Sequence, residues 1–203
     1  MNCSRSSARF ALAALATLLI LSITGCATTY VKPSGTTNAA PAEPLSAFQH
    51  FELQRISMGS PYAGQSANER ALRKIQENFD ERVGVLVKLW NAKAPDADTG
   101  LTLVIIPHIQ DIKFISGGTR FWTGAMSGSS AVVLKLKLVD KATGNVVATP
   151  EFYQRAAAMS GAWTMGGTDN NMLIRITEIT EHYLSANYDK AVGGPTGLPE
   201  EDK

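Results

Sequence analysis

Apolar residues recur at helical spacing in two segments of the chain. After Ser66 they recur every three or four positions, which predicts one long amphipathic helix that Pro95 and Gly100 end. Its apolar residues are Leu72, Ile75, Phe79, Val83, Leu86 and Trp90. Ser66 and Glu69 have the spacing of a capping box at the start of this helix. The same periodicity predicts a final helix that carries Met172, Leu173, Ile176, Ile179, Tyr183 and Leu184.

Alternating apolar and polar residues predict the strands. The segment Phe48–Ile56 alternates in this way and predicts the first strand. The segment Leu101–Ile115 predicts the second, but its apolar positions change from odd to even numbers along the way. A bulge near Gln110 and Asp111 would restore a single inward face, because one extra residue reverses the alternation.

The next two strands are predicted to form a β-hairpin. In Ala131–Val139 leucines occupy alternate positions and lysines the positions between them, so the leucines face inward. The segment Asp140–Asn145 supplies the turn before Val146–Ala157. Pro150 favours an edge position for the second arm, since proline cannot donate a hydrogen bond to a neighbouring strand.

The predicted order of elements is strand, helix, strand, strand, strand, helix. With a right-handed first crossover, this order predicts a single α+β domain over residues 45–190, in which both helices pack on one face of a mixed sheet of about four strands. Residues 26–44 contain almost no bulky apolar side chains, so we expect a flexible tether there. Residues 191–203 are expected to form a disordered tail.

The first 26 residues have the features of a bacterial export signal. Arg5 and Arg9 precede an apolar run from Phe10 to Ile23 that is too short for an ordinary membrane span. The run ends in LSITGC, which resembles the lipobox of bacterial lipoproteins. The resemblance implies that residues 1–25 are a signal peptide, that cleavage precedes Cys26, and that acyl chains on Cys26 anchor the protein in the bilayer. An uncleaved signal anchor is the alternative.

The residues around and after Cys26 indicate where the protein is located and which side-chain chemistry the mature domain lacks. The residue after the lipidated cysteine would be Ala27 rather than Asp. By resemblance to lipoprotein sorting in Gram-negative bacteria, this favours the periplasmic face of the outer membrane. A Gram-positive host would change that conclusion. Cys3 leaves with the signal, so the mature domain has no thiol for a disulfide, a metal or catalysis. Removing Arg5 and Arg9 changes the formal net charge from +1 to −1, and nothing indicates nucleic-acid binding.

The sequence contains no recognised catalytic or nucleotide-binding motif. The glycine-rich stretch GGTRFWTGAMSGSS, residues 117–130, has neither the lysine of a Walker loop nor the spacing of a dinucleotide loop, and no serine has a GxSxG context. The histidines His50, His108 and His182 belong to no metal-ligand run. We therefore expect no cofactor, no metal, no nucleotide and no enzymatic activity.

Two glycine-flanked tryptophans and an arginine form the candidate partner surface, which we call the rim. The predicted hairpin is entered by residues 116–130 and left by residues 159–168, so both segments lie at the same end of the sheet. Arg120, Trp122 and Trp163 can therefore share one surface, and these residue types dominate protein interfaces. The alternatives are a solvated loop charge for Arg120 and lids over the core for the tryptophans.

The stretch GTRFWTGAMSGSSAVVLKLKLVDKATGNVV, residues 118–147, resembles the core of a family of bacterial lipoproteins called domain of unknown function 4410. The family's D-x-x-T-G turn matches Asp140, Thr143 and Gly144, and its Arg-bearing loop matches the segment with Arg120, Gly124 and Gly128. Trp122 and Met126 depart from that loop. The resemblance implies an envelope lipoprotein and no known reaction.

Three hypotheses for function remain. The first is a non-enzymatic outer-membrane lipoprotein that binds or scaffolds an envelope protein. The second is an oligomeric subunit of an envelope secretion or transport assembly. The third, ranked below both, is a cell-envelope hydrolase that would use some of Glu52, His108, Asp111 and Glu178.

Overall fold

The computed structural model describes residues 31–93, 101–115, 129–156 and 167–198. In chain order, its elements are β1 (Thr37–Asn38), a 3-10 turn (Leu45–Ala47), β2 (His50–Leu53), β3 (Ser57–Met58), α1 (Ser66–Asn91), β4 (Thr102–Lys113), β5 (Ala131–Asp140), β6 (Val146–Ala148), β7 (Glu151–Arg155), α2 (Gly167–Ala186) and β8 (Gly194–Pro195). These elements follow the predicted order, with additional short strands at each end.

The main sheet is built on β4 and β5, which pair antiparallel. Both β2 and β3 pair parallel with β4, while β6 and β7 pair antiparallel with β5. The six strand segments occupy four positions across the sheet, because the first and the last predicted strands are each interrupted. The prediction of a mixed sheet of about four strands is therefore confirmed.

Both helices pack against one face of this sheet. A single buried cluster joins apolar residues of α1 and α2 to the inward positions of the strands: Ile75, Phe79, Val83, Leu103, Ile105, Leu134, Leu136, Leu138, Phe152, Met172, Ile176, Ile179 and Tyr183. These are the residues whose spacing predicted the elements, and the α+β class is confirmed. The capping box was wrong, because α1 begins after Gln65 and the Glu69 carboxylate instead accepts a hydrogen bond from Gly64 N at 2.9 Å.

The predicted bulge lies in the middle of β4. The pairing register with β5 shifts between Ile109 and Asp111, so Gln110 is the extra residue. Ile109 and Ile112 consequently both reach the helix-covered core. The shift also places His108 and Asp111 on the opposite face of the sheet, which we call the outer face.

The predicted tether is wrong for residues 31–44, which pack on the domain. Val31 is 5% exposed and lies with Ala131 and Val133 on the outer face of the sheet. β1 pairs with β8, and Ala39 O accepts a hydrogen bond from the Tyr183 hydroxyl at 2.9 Å. Backbone hydrogen bonds, side-chain hydrogen bonds of Ser34 and Asn38, and the buried Val31 hold this segment, so its shortage of bulky side chains was a misleading criterion.

The predicted disordered tail is likewise wrong for residues 191–198. The Asn187 side chain, fully buried, accepts hydrogen bonds from Val192 N and Gly193 N and donates to the carbonyls of Tyr183 and Gly193. Thr196 O then accepts a hydrogen bond from Tyr153 N at 2.8 Å. Both ends of the described chain are thus part of the domain. Residues 26–30 and 199–203 lie outside the described residues.

Polar side chains close both edges of the main sheet. At the β7 edge, the Asn38 amide donates to Glu151 O and accepts from Glu151 N, both at 2.8 Å. At the β2 edge, the Asn91 amide makes the same paired contacts with Phe51 N and O, at 2.8 and 2.9 Å. The edge position predicted from Pro150 is confirmed. Strand edges that are occupied in this way do not offer those backbone groups to another chain.

The hairpin turn between β5 and β6 holds Gly144 in a left-handed backbone conformation. Asp140 accepts hydrogen bonds from Ala142 N, the Thr143 hydroxyl and Gly144 N, and Gly144 has a φ of 73°. No atom lies within 4 Å of a Cβ added at Gly144, so only the left-handed φ opposes a side chain.

We expect Gly144→Ala to lower the free energy of unfolding by about 1 kcal/mol, because alanine is strained at positive φ. Denaturant unfolding of the two proteins measures this difference. Gly35→Ala is the matched control, since Gly35 is not in the left-handed region and its added Cβ would meet only ordinary contacts. Equal effects at the two positions would contradict the assignment.

Candidate functional site

The residues predicted for lipidation and partner binding are Cys26, Arg120, Trp122 and Trp163, and all four lie outside the described residues. The structure does describe where the rim segments join the sheet. Lys113, Ala131 and Arg155 lie side by side in the pairing register of β4, β5 and β7. Residues 116–128 and 157–166 are therefore joined to the same end of the sheet, as predicted.

Polar groups link the strands at this end. The Ser130 hydroxyl accepts a hydrogen bond from Ile115 N at 3.0 Å, while Ser130 O accepts one from Ala156 N at 2.9 Å. Ser129 Oγ accepts from the Arg155 guanidinium at 3.3 Å. Gln154 is buried on the helix-covered side, and within the described part of the chain its Nε2 has no hydrogen-bond partner. Ser129 and Ser130 thus hold together the strand ends at which residues 116–128 and 157–166 join the sheet.

A polar row crosses the outer face at mid-sheet. Ser57, His108, Lys135 and Glu151 are successive partners in the register of four adjacent strands. Ser57 Oγ lies 2.9 Å from His108 Nδ1, and Lys135 Nζ lies 3.4 Å from Glu151 Oε2. Ser34, from the N-terminal segment, extends the row with its hydroxyl 2.9 Å from Glu151 Oε2.

Glu151 is the carboxylate of this row and is buried. Burial alone would raise its pKa, but hydrogen bonds from Ser34 N and Oγ and the charge of Lys135 outweigh burial and hold the pKa below its ordinary value. The ionised form therefore stabilises the folded state above pH 4.5, which is the ordinary pKa. That stabilisation is lost as the pH falls below 4.5, since the unfolded chain then binds a proton first.

We expect Glu151→Gln to be about 1–2 kcal/mol less stable than the wild type at pH 7, because charge-assisted hydrogen bonds are lost. The difference should shrink as the pH falls from 5 towards 3. Denaturant midpoints across that range measure it, and Glu77→Gln, at an exposed pair with Lys74, is the control. A difference that stayed constant with pH would contradict the depressed pKa.

The residues named by the hydrolase hypothesis have structural partners. The Asp111 carboxylate accepts a hydrogen bond from the Tyr62 hydroxyl, which raises the pKa of Tyr62 to about 12. Glu178 pairs with Arg82 across the two helices at 2.8 Å. Glu52 pairs with Lys141, and His108 contacts Ser57. His108 and Asp111 share the outer face because of the bulge, yet Asp111 is bonded to Tyr62.

Sequence reasoning missed most of the polar row and the tyrosine that lies near it. These residues are Ser34, Ser57, Lys135, Glu151 and Tyr62. Ser34 and Glu151 are separated by 117 positions, so no local spacing could indicate their contact. Only the alternation in β5, which placed Lys135 outward, was visible in the sequence. Within the described ranges, no group of three or more His, Cys, Asp or Glu could hold a metal ion, and no helix is long and apolar enough to cross a membrane.

No family model and no curated protein matches this chain. The assignment to domain of unknown function 4410 is thus not confirmed. Several solved structures match part of the chain, among them the following three. The PelC dodecamer from Paraburkholderia phytofirmans is 12% identical over 69% of this chain and 91% of that one, with a TM-score of 0.34. A candidate lipoprotein from Caulobacter crescentus CB15 is 11% identical over 70% and 91%, with a TM-score of 0.35.

The third match, a protein from Xanthomonas campestris of domain-of-unknown-function family 330, is 13% identical over 77% of this chain and 95% of that one, with a TM-score of 0.36. These identities and TM-scores are too low to assign a family. The function must therefore be inferred from the residues of this chain.

Proposed function

We propose that this protein is a lipoprotein anchored in the outer membrane through Cys26, and that its periplasmic domain binds or scaffolds an envelope protein without catalysing a reaction. The observation that carries the proposal is the signal-like N-terminus that ends in LSITGC. Within the domain, Asp111, Glu151 and Glu178 are each engaged by a neighbouring side chain, which gives these carboxylates a structural role.

The rim residues Arg120, Trp122 and Trp163 are the proposed contact with the partner. Crosslinking in intact cells, followed by mass spectrometry of the captured proteins, tests this assignment. Trp122→Ala and Trp163→Ala should abolish capture of the partner that the wild type crosslinks, because tryptophan and arginine carry a large share of interface energy. Each substitution should cost well under the roughly 3–5 kcal/mol expected for a tryptophan removed from a core.

Trp90 provides the comparison with a core tryptophan. It is buried, with its ring centroid 4.8 Å from that of Phe51 and 4.6 Å from that of Tyr188. Trp90→Ala should therefore show the full cost of core removal in denaturant unfolding. If Trp122→Ala and Trp163→Ala cost as much as Trp90→Ala and capture survives, the rim tryptophans are structural and the assignment fails.

An oligomeric envelope assembly is the second candidate. Val85 and Leu89 lie one turn apart on α1 and are 46% and 58% exposed, so they offer apolar area to a second copy. Light scattering of the detergent-solubilised lipoprotein separates the candidates. A mass of many copies would favour the assembly, and a monomer mass would favour the scaffold.

A further inference from the structure

The N-terminal segment fixes which side of the domain is tied to the lipid anchor. Val31 packs on the outer face against Ala131 and Val133, on the opposite side of the sheet from both helices. Cys26 precedes Val31 by five residues. A chain of that length reaches at most about 18 Å, because an extended residue spans no more than about 3.5 Å. The bilayer anchor therefore lies within that distance of Val31.

The same face carries an excess of positive charge. The central strands β4, β5 and β7 place Lys113, Lys135, Lys137 and Arg155 outward, since their sequence neighbours Ile112, Leu134, Leu136 and Ala156 belong to the helix-covered core. Three carboxylates share the face, and one of them, Glu52 of β2, pairs with Lys141 of the hairpin turn. Asp111 is bonded to Tyr62, while Glu151 is bonded to Ser34 and Lys135. With Lys141 included, five cations outnumber three carboxylates by two.

We propose that the outer face of the sheet rests on anionic phospholipid headgroups, with the helices directed away from the membrane. The proposal rests on acylation of Cys26 and adds an orientation and a lipid class to it. The short chain between Cys26 and Val31 holds the outer face near the bilayer. Each lysine or arginine close to an anionic leaflet then adds about 1 kcal/mol to the free energy of membrane binding. Lys113, Lys137 and Arg155 are the residues placed to contact the headgroups.

Fluorophore quenching on reconstituted lipoprotein tests the orientation. The thiol of Cys26 is consumed by the lipid and Cys3 is removed with the signal, so an introduced cysteine is the only labelling site in the mature chain. Lys137→Cys labels the outer face and Lys74→Cys labels the exposed side of α1. The vesicles contain phosphatidylcholine with about one-third phosphatidylglycerol and a headgroup nitroxide quencher.

We expect at least about twofold stronger quenching of the label at position 137 than of the label at position 74. The ratio should fall towards one in pure phosphatidylcholine vesicles. It should also fall in the double variant Lys113→Glu/Arg155→Glu, because each reversal replaces attraction by repulsion. The control Arg70→Glu/Arg73→Glu, which reverses two exposed charges on α1, should leave the ratio unchanged.

Three results would overturn the proposal. Equal quenching at the two positions, or stronger quenching at position 74, would show that the outer face is not the membrane side. A ratio unaffected by phosphatidylglycerol and by the double variant would remove the role of anionic lipid. Efficient transfer between labels at position 137 on different copies would show that a second copy covers the face. Flotation of the vesicles is scored separately, and protein that fails to float refutes acylation itself, and the proposal with it.

Discussion

Asn187→Ala will lower the free energy of unfolding by about 2–4 kcal/mol. The Asn187 amide is fully buried and satisfies four backbone groups, two N–H donors and two carbonyl acceptors, where the chain leaves α2 and returns towards β8. Each buried group left without a partner costs about 1–3 kcal/mol, and relaxation of the segment recovers part of that cost. Denaturant unfolding monitored by circular dichroism measures the loss.

Asn145→Ala is the matched control for this prediction. Asn145 lies in the exposed hairpin turn, where its backbone N–H and carbonyl make the hydrogen bonds of the turn, so its substitution should change stability by less than about 0.5 kcal/mol. If Asn187→Ala were as mild as the control, residues 191–198 would not be part of the cooperative fold. The N-terminal segment that pairs with them through β1 would then lose its support as well.

Cys26→Ala will abolish lipid attachment and signal removal together. In the proposed lipoprotein pathway, the thiol of Cys26 accepts the diacylglycerol before the signal is cleaved, so the variant should accumulate as an uncleaved precursor. Metabolic labelling with palmitate, followed by gel electrophoresis of membrane and soluble fractions, measures both effects. Cys3→Ala, at the other cysteine of the chain, should be processed and labelled as the wild type is.

A palmitate-labelled protein of mature size from Cys26→Ala would contradict the lipobox. Loss of labelling in Cys3→Ala, with normal labelling in Cys26→Ala, would move the modification to the other cysteine. Two or more acyl chains make release from a bilayer very slow, so the wild type should remain in the membrane fraction. The uncleaved precursor of Cys26→Ala keeps its apolar signal, so the palmitate label and the size of the chain, rather than its fraction, separate the two proteins.

The elements that could be predicted from the sequence are those with a local physical signature. The helical spacing around Phe79 and Ile176 appeared as α1 and α2, because a helix that covers a sheet must present one apolar side. The change of parity in Leu101–Ile115 located the bulge after Ile109, since the core accepts only one face of a strand. The D-x-x-T-G turn ending in Gly144 was similarly local.

The parts that could not be predicted depend on contacts between distant residues. β1 and β8 have two residues each, too few for any periodicity, and they pair across more than 150 positions of the chain. The side chains of Asn38 and Asn187 stabilise the terminal segments through hydrogen bonds to backbone groups, whereas the sequence criterion counted bulky apolar residues. The resemblance to a lipobox rests on a contiguous stretch and stays a prediction, whereas the polar row on the outer face joins residues far apart in the sequence.

The intact mass of the wild-type protein extracted from membranes tests the central claim most directly. We predict a chain that begins at Cys26 and carries the added mass of a diacylglycerol thioether and one amide-linked acyl chain. A mass equal to an unmodified chain, whether full-length or cleaved elsewhere, would contradict the lipid anchor and with it the proposed location of the domain.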